Sequence, residues 1–259
     1  AILSETPASK RTFLFSATMP KEVLNISGKY MDNPVEITIG RKNEGAENVS
    51  HYYYMVQAKN RYLALKRIAD FFPDIYGIIF CRTRIETKEV AAKLMEDGYN
   101  VDALHGDLSQ AQREYVMHRF RNRYLSMIVA TDVAARGIDV DDLSHVINYN
   151  LPDELQIYTH RSGRTGRAGR KGVSIVIIHQ KEQYKIKRIE KQLKRKFEHR
   201  PIPGGEEICG KQLFSLINKM EQVAVDEDQI GPYIEKIRKK LDWMDKEQLL
   251  KQFVALEFN

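Results

Sequence analysis

Hydrophobic positions recur along this chain at two spacings, and the switch between them lays out the fold. Runs rich in β-branched and aromatic residues at 52–56, 77–81, 100–104, 126–131, 145–149 and 173–178 read as strands. Helical spacing fills the gaps between them, as at 62–72, 86–97 and 110–121. Connections of that length let neighbouring strands pair in parallel through right-handed crossovers. The pattern predicts an α/β domain built on a doubly wound parallel sheet. A helix at 182–197 closes it, placing Ile186, Ile189, Leu193 and Phe197 against the sheet.

Ahead of this block the pattern predicts a strand at 12–16, a helix at 21–31 and an extended segment at 35–39, then linker composition over 40–50. Behind it, Pro201-Ile202-Pro203-Gly204-Gly205 breaks the chain. Residues 206–259 carry helical periodicity alone, opening with Leu213, Leu216, Ile217 and Met220. A segment of this size builds only a small all-helical module, which usually needs a partner surface to be stable. The chain thus divides into 1–40, 41–204 and 205–259.

One stretch breaks both periods. In His160-Arg161-Ser162-Gly163-Arg164-Thr165-Gly166-Arg167-Ala168-Gly169-Arg170, arginines and glycines each recur every third residue. Each Gly costs a helix interior about 1 kcal/mol relative to Ala, so a continuous helix here is disfavoured. What remains is a close-approach backbone carrying guanidinium groups, whose forked donors fit phosphate oxygens. The ligand this implies is a polyphosphate or a nucleic-acid backbone. A plain surface loop is the alternative, but the amphipathic run at 153–158 and the apolar run at 173–178 place these arginines at one edge of an α/β sheet.

Composition narrows the class. The chain has 259 residues, 42% hydrophobic and 29% charged, with a net charge of +6, which favours acidic partners such as nucleic acid. Lys and Arg far outnumber the three glutamates over 181–200, a segment that reads equally as a nucleic-acid surface or a solvated helix face. The longest apolar run, 173–178, is far short of the ~20 residues a membrane span needs. Cys81 and Cys209 supply neither a disulfide framework nor a metal spacing, so no metal site is expected and a reducing cytoplasm is the expected compartment. No G-x-x-x-x-G-K-[ST] phosphate loop and no Asp-Glu-Ala-Asp run occur.

Five stretches, in order, resemble the motifs of the DEAD-box RNA helicases. Phe15-Ser16-Ala17-Thr18-Met19-Pro20 resembles the Ser-Ala-Thr motif that ends the family's first RecA-like domain. Ile78-Ile79-Phe80-Cys81-Arg82-Thr83 and His105-Gly106-Asp107-Leu108-Ser109-Gln110-Ala111-Gln112-Arg113 resemble early nucleic-acid motifs of its second. Ala130-Thr131-Asp132-Val133-Ala134-Ala135-Arg136-Gly137-Ile138-Asp139-Val140 resembles the motif touching both RNA and nucleotide, and the arginine–glycine run resembles the family's last motif. The resemblance implies a remnant of the first RecA-like domain in 1–40 and the second RecA-like domain in 41–204. It also implies that the chain is the C-terminal part of a longer protein and hydrolyses no ATP alone.

By motif position Arg164 and Arg167 resemble the two arginine fingers, with a salt-bridged arginine pair as the alternative. Asp139 resembles the carboxylate on the nucleotide ribose, and Gly137 leaves room for the nucleotide. His160 resembles the bridge to the acidic motif of the first domain, against a core histidine satisfied locally. The RNA contacts carried over are Thr83, Gly106, Gln110, Arg113 and Thr131, Arg113 being alternatively a helix-surface residue. Ser16 and Thr18 resemble the motif coupling hydrolysis to strand separation; as a bare Ser-x-Thr they read as strand-end hydroxyls. His51 departs from the family's usual Gln at the linker. Tyr52-Tyr53-Tyr54 reads as alternating strand residues at a sheet edge rather than a base-stacking platform.

The implied whole protein uses ATP and Mg2+, bound mainly by the first domain, and unwinds short RNA duplexes or remodels RNA–protein complexes. Two other readings stand beside it, a DNA helicase of the same superfamily and a non-catalytic RNA-binding or dimerising adaptor. Residues 206–259 resemble, more weakly, the module after the helicase core of bacterial cold-shock DEAD-box proteins, implying a homodimer.

Overall fold

The computed structural model describes residues 6–7, 9–15, 21–37, 48–135, 140, 143–167 and 169–258. After a first helix α1 (Lys21–Tyr30), six strands form where the apolar runs predict them. They are β1 (Val49–Met55), β2 (Gly77–Phe80), β3 (Val101–Leu104), β4 (Met127–Ala130), β5 (His145–Asn148) and β6 (Gly172–Ile178). Helices α2 (Arg61–Phe71), α3 (Arg84–Glu96), α4 (Gln110–Arg121), α5 (Leu155–Ser162) and α6 (Gln183–Leu193) connect or follow them. A short seventh strand, β7 (Glu198–Arg200), completes a wholly parallel sheet in the order β3-β4-β2-β5-β6-β1-β7.

Strand order and the right-handed crossover rule together assign the faces. Steps from β1 to β2 and from β2 to β3 run one way across the sheet, so α2 and α3 cover one face. Steps from β3 to β4, β5 to β6 and β6 to β7 run the other way, which puts α4, α5 and α6 on the opposite face. Side chains bear this out, since Ile78 and Phe80 pack with Val116, Met117 and Phe120 of α4. Val176 and Ile178 pack with Tyr158 of α5 and with Ile186, Ile189 and Leu193 of α6. The doubly wound α/β expectation holds.

Some expectations do not. Residues 12–15 form no strand, and Phe13 and Phe15 are exposed. An extended run becomes a strand only when a neighbour takes its backbone hydrogen bonds, and among the described residues none does; Ser16 lies outside them. The strand β1 begins inside the expected linker, at Val49, while 41–47 lie outside the described residues. The helix expected to reach Phe197 stops at Leu193, where Lys194 turns left-handed with φ of 53°. Phe197 still reaches the same core from beyond the helix end. The three tyrosines lie one strand in from the edge, since β7 pairs with β1. Tyr54 is buried, Tyr53 stacks on His199 at 4.9 Å between centroids, and Arg200 covers the Tyr52 ring at 3.4 Å.

His51 is a core residue of β1 rather than a linker contact. Its Nδ1 lies 2.6 Å from the Tyr158 hydroxyl, which lies 2.9 Å from Ser174 Oγ, and its ring stacks on Phe197. Burial, helped by the Arg195 charge, lowers the His51 pKa to about 4. Burial also lowers His145 to about 4. Between pH 6.5 and 4 the unfolded chain therefore binds protons that the folded chain refuses, and stability rises with pH across that window and levels off above it. From each histidine the expected loss on going from pH 7.5 to pH 5 is about 2 kcal/mol. Urea unfolding at both pH values should show a smaller acid loss in His51→Gln than in the parent chain. Equal losses would remove His51 from the account.

The structure separates into two compact units, 1–68 with 75–202, and 69–74 with 203–259. The second unit contains α7 (Gly205–Gln222), α8 (Glu227–Leu241) and α9 (Lys246–Phe258). Within it, Ser215 Oγ donates to Asp74 Oδ2 at 3.0 Å and Lys219 pairs with the same carboxylate at 3.0 Å. No residue of α8 is buried. No helix among the described residues is long and apolar enough to cross a membrane.

Candidate functional site

All seven strands point the same way, so their C-terminal ends share one edge, where open parallel sheets bind ligands. Register aligns those ends, since Leu104 and Phe80 both lie opposite Ala130 and Phe80 lies opposite Asn148. The segments leaving them, 105–106, 131, 81–83 and 149–150, therefore emerge side by side, about 4.8 Å apart. Four of the five positions expected to contact RNA, Thr83, Gly106, Gln110 and Thr131, fall on these segments or at the start of the helix that follows one of them; Arg113 lies one turn further along that helix.

Each is held by local chemistry. Thr83 caps α3, its hydroxyl accepting from Glu86 N at 3.1 Å. Ser109 caps α4 through a reciprocal pair with Gln112, leaving Gln110 exposed at the first turn with Arg113 half-buried behind it. Gly106 is exposed, and a Cβ there would meet nothing nearer than Arg84 Cδ at 3.9 Å, so its backbone is open to a ligand. Asp107 is pinned by Arg84 and by Lys88 at 3.0 Å, and the Lys88 hydrogen bond, with the Arg84 charge, holds its carboxyl below the usual range. Thr131 differs from the rest: it is buried, and its hydroxyl accepts from Ala134 N at 3.4 Å, shaping the turn at 131–135.

The arginine–glycine run begins as the end of α5 and leaves it at Gly163, as the glycine content requires. Gly166 and Gly169 take positive φ, 68° and 77°. At Gly166 a Cβ would strike Val49 Cγ2 at 2.6 Å, so the loop lies tight against the start of β1. Buried Thr165 anchors it further, donating to Leu143 O and Ser144 O.

Arg161 is ion-paired within the fold. It is buried, grips Asp132 with two parallel bonds at 2.6 and 2.8 Å, and donates to Asn148 Oδ1 and Asn150 O. Asn150 in turn accepts from Arg82 N at 2.9 Å and donates to Glu86 at 3.0 Å. This network locks α5 to the ends of β2, β4 and β5. Sequence reasoning passed over Arg161, Asp132 and Asn150, yet a signal existed: Arg161 lies three residues after buried Tyr158, on the inward face of α5.

Beside the clamp lies a cleft of ≈ 380 Å³ lined by Phe80, Asp132, Ala135, Ile157, His160, Arg161 and Arg164. His160 is exposed at its rim rather than satisfied in a core. Arg164 is half-buried, and burial together with the neighbouring Arg167 charge lowers its affinity for its proton. Arg167 donates to Gly163 O at 3.0 Å. A guanidinium partly stripped of water beside a second positive charge is suited to a polyanion. The expected Ser16, Thr18, Gly137 and Asp139 positions lie outside the described residues.

The helicase conserved C-terminal domain model matches residues 65–169, and the model of the helical domain of a probable ATP-dependent RNA helicase matches 208–259. The ATP-dependent RNA helicase DeaD of Mycobacterium tuberculosis is 38% identical over 246 residues, 95% of this chain and 42% of that protein. The chain spans about half the length of the curated relatives it matches. Among solved structures, Dbp5 of S. cerevisiae bound to RNA and ADP BeF3 is 27% identical with a TM-score of 0.74, covering 83% of this chain and 57% of that one. The E. coli DEAD-box protein SrmB, bound to regulator of ribonuclease activity A, is 32% identical with a TM-score of 0.57, covering 63% of this chain and 95% of that one. These matches show that the chain belongs to the DEAD-box family of ATP-dependent RNA helicases.

Proposed function

We propose that this chain is the C-terminal part of an ATP-dependent RNA helicase that opens short duplexes or remodels RNA–protein complexes. The observation that carries the reading is Arg164, half-buried on the cleft and one helical turn from the Arg161–Asp132 clamp. Hydrolysis builds negative charge on the transferred phosphoryl group, and arginines supplied from outside the phosphate site accelerate such steps by ~10³ to 10⁵. Arg164 and Arg167 take that role, with Gly137 and Asp139 toward the ribose and His160 toward the acidic motif of the first RecA-like domain. That domain is the partner, and it holds most of the ATP and Mg2+. Ser16 and Thr18 couple hydrolysis to strand opening, and Thr83, Gly106, Gln110, Arg113 and Thr131 supply half of a sequence-independent RNA surface. The cytoplasm is the compartment we assign.

Steady-state ATPase of the longer protein tests this. RNA-stimulated turnover that an all-deoxy strand fails to compete supports an RNA helicase; equal competition makes it a DNA helicase, and RNA binding without turnover makes it an adaptor. The present chain alone should stay at background.

The helical unit points to a second copy as partner. Tyr233, Trp243 and Leu256 are 62%, 69% and 81% exposed, an apolar surface that a two-fold contact would cover. Sedimentation should show a dimer for the full chain and a monomer for a version ending at Pro203. Monomers in both cases, at tens of micromolar protein, would return 206–259 to an intramolecular role.

A further inference from the structure

The basic segment at 181–200 has no part in the site described above, and the structure shows how its charge is distributed. All three of its carboxylates are engaged within the fold. Glu182 pairs with Arg61 at 3.3 Å, Glu190 accepts from Phe197 N at 2.7 Å, and Glu198 pairs with Arg200 at 2.9 Å. Against Ile186, Ile189 and Leu193, which face the core, the opposite side of α6 presents Tyr184, Lys187, Arg188 and Lys191. Their spacing of i, i+3, i+4 and i+7 makes one stripe, about 10 Å long.

Among the described residues none of these four has a side-chain partner. Tyr184 is 67% exposed. The cations sit at like-charge helical spacings that cost an isolated helix a few tenths of a kcal/mol each, so the stripe is not there for the helix's own stability. An exposed aromatic ring among unpaired cations is the combination that holds single strands, with bases stacking on the ring and phosphates meeting the charges.

The stripe is also joined to the strand-end row. Lys185 Nζ lies 2.6 Å from Asp153 Oδ1, and the same carboxylate lies 3.9 Å from Arg82, the neighbour of Thr83. A strand crossing the ends of β2 and β4 can continue over this bridge onto α6, where the three acidic side chains of 181–200 are all paired.

We propose that Tyr184, Lys187, Arg188 and Lys191 form a second contact surface for single-stranded RNA, continuous with the strand-end row. The inference rests on the proposed RNA-helicase reading. Fluorescence anisotropy of the full chain with labelled single-stranded RNA, titrated in salt, tests it beside Arg113→Ala. The triple variant Lys187→Ala/Arg188→Ala/Lys191→Ala should flatten the slope of log K against log salt by about 2, at roughly 0.7 per phosphate contact. Tyr184→Ala should weaken binding roughly tenfold, and Tyr184→Phe should not. All four side chains are exposed, so melting temperatures should stay at the parent value. Parent-like binding by Tyr184→Ala overturns the proposal even if the salt slope falls, because a general polyanion surface would behave that way. Loss in Arg113→Ala alone leaves the strand-end reading standing and removes the stripe, whereas no RNA binding by the parent chain removes both.

Discussion

Arg164→Ala, made in the longer protein with both RecA-like domains, is expected to lower kcat for RNA-stimulated ATP hydrolysis by about 10²-fold or more, with far less change in nucleotide affinity. On the proposed reading the guanidinium acts where charge develops on the transferred phosphoryl group, and the half-buried setting of Arg164 on the cleft would strengthen that interaction relative to water. Arg167→Ala should follow in direction. Lysine at 164 should recover little, since a point charge cannot reproduce the planar fork. Single-turnover kinetics at saturating ATP and RNA read the effect. A raised KM with kcat intact would show that the residue serves ground-state binding and would remove it from the chemistry.

The parts of this molecule legible in the sequence are those whose signal is local. Strands such as Gly77–Phe80 and Met127–Ala130 stand out because their apolar residues are buried on both faces of a parallel sheet. The end of α5 at Gly163 and the left-handed turns at Gly166 and Gly169 follow from glycine itself. The strand β7 carries no such mark. Glu198, His199 and Arg200 are polar, and they become a strand because β1 offers a free edge and two tyrosine rings to cover. Lys194 ends α6 in a conformation usually left to Gly or Asn, so the helix reads as running on to Phe197.

The site divides in the same way. Gln110 and Gly106 are exposed beside the strand ends. Thr131 has its hydroxyl in a turn, and a side chain's direction depends on neighbours that residue order does not show. The network from Arg82 through Asn150 to Arg161 and Asp132 is the clearest example. It joins four segments distant in sequence and ties the strand-end row to the cleft. On the proposed reading, RNA on that row and nucleotide in the cleft would share the hydrogen bonds that set the angle of α5.

That element makes Arg161 the residue whose loss should cost the fold most. Arg161→Met removes two bonds to Asp132 and leaves Asn148 Oδ1 and Asn150 O without the donor they face. Breaking a buried, hydrogen-bonded ion pair from one side costs about 3–5 kcal/mol, because the surviving groups keep their desolvation penalty. Asp132→Ala leaves the buried Arg161 guanidinium without its counter-charge but with its two asparagine acceptors, so its cost should fall in the same range. The double variant should then lose less than the sum of the two, a coupling that a double-mutant cycle in urea measures directly. Because His160 and Arg164 flank Arg161, the single variant should also lose ATPase activity in the longer protein under conditions where it remains folded. A parent-like urea midpoint for Arg161→Met would mean that α5 is held by Tyr158 and its apolar neighbours alone, and that the clamp only decorates a helix already in place.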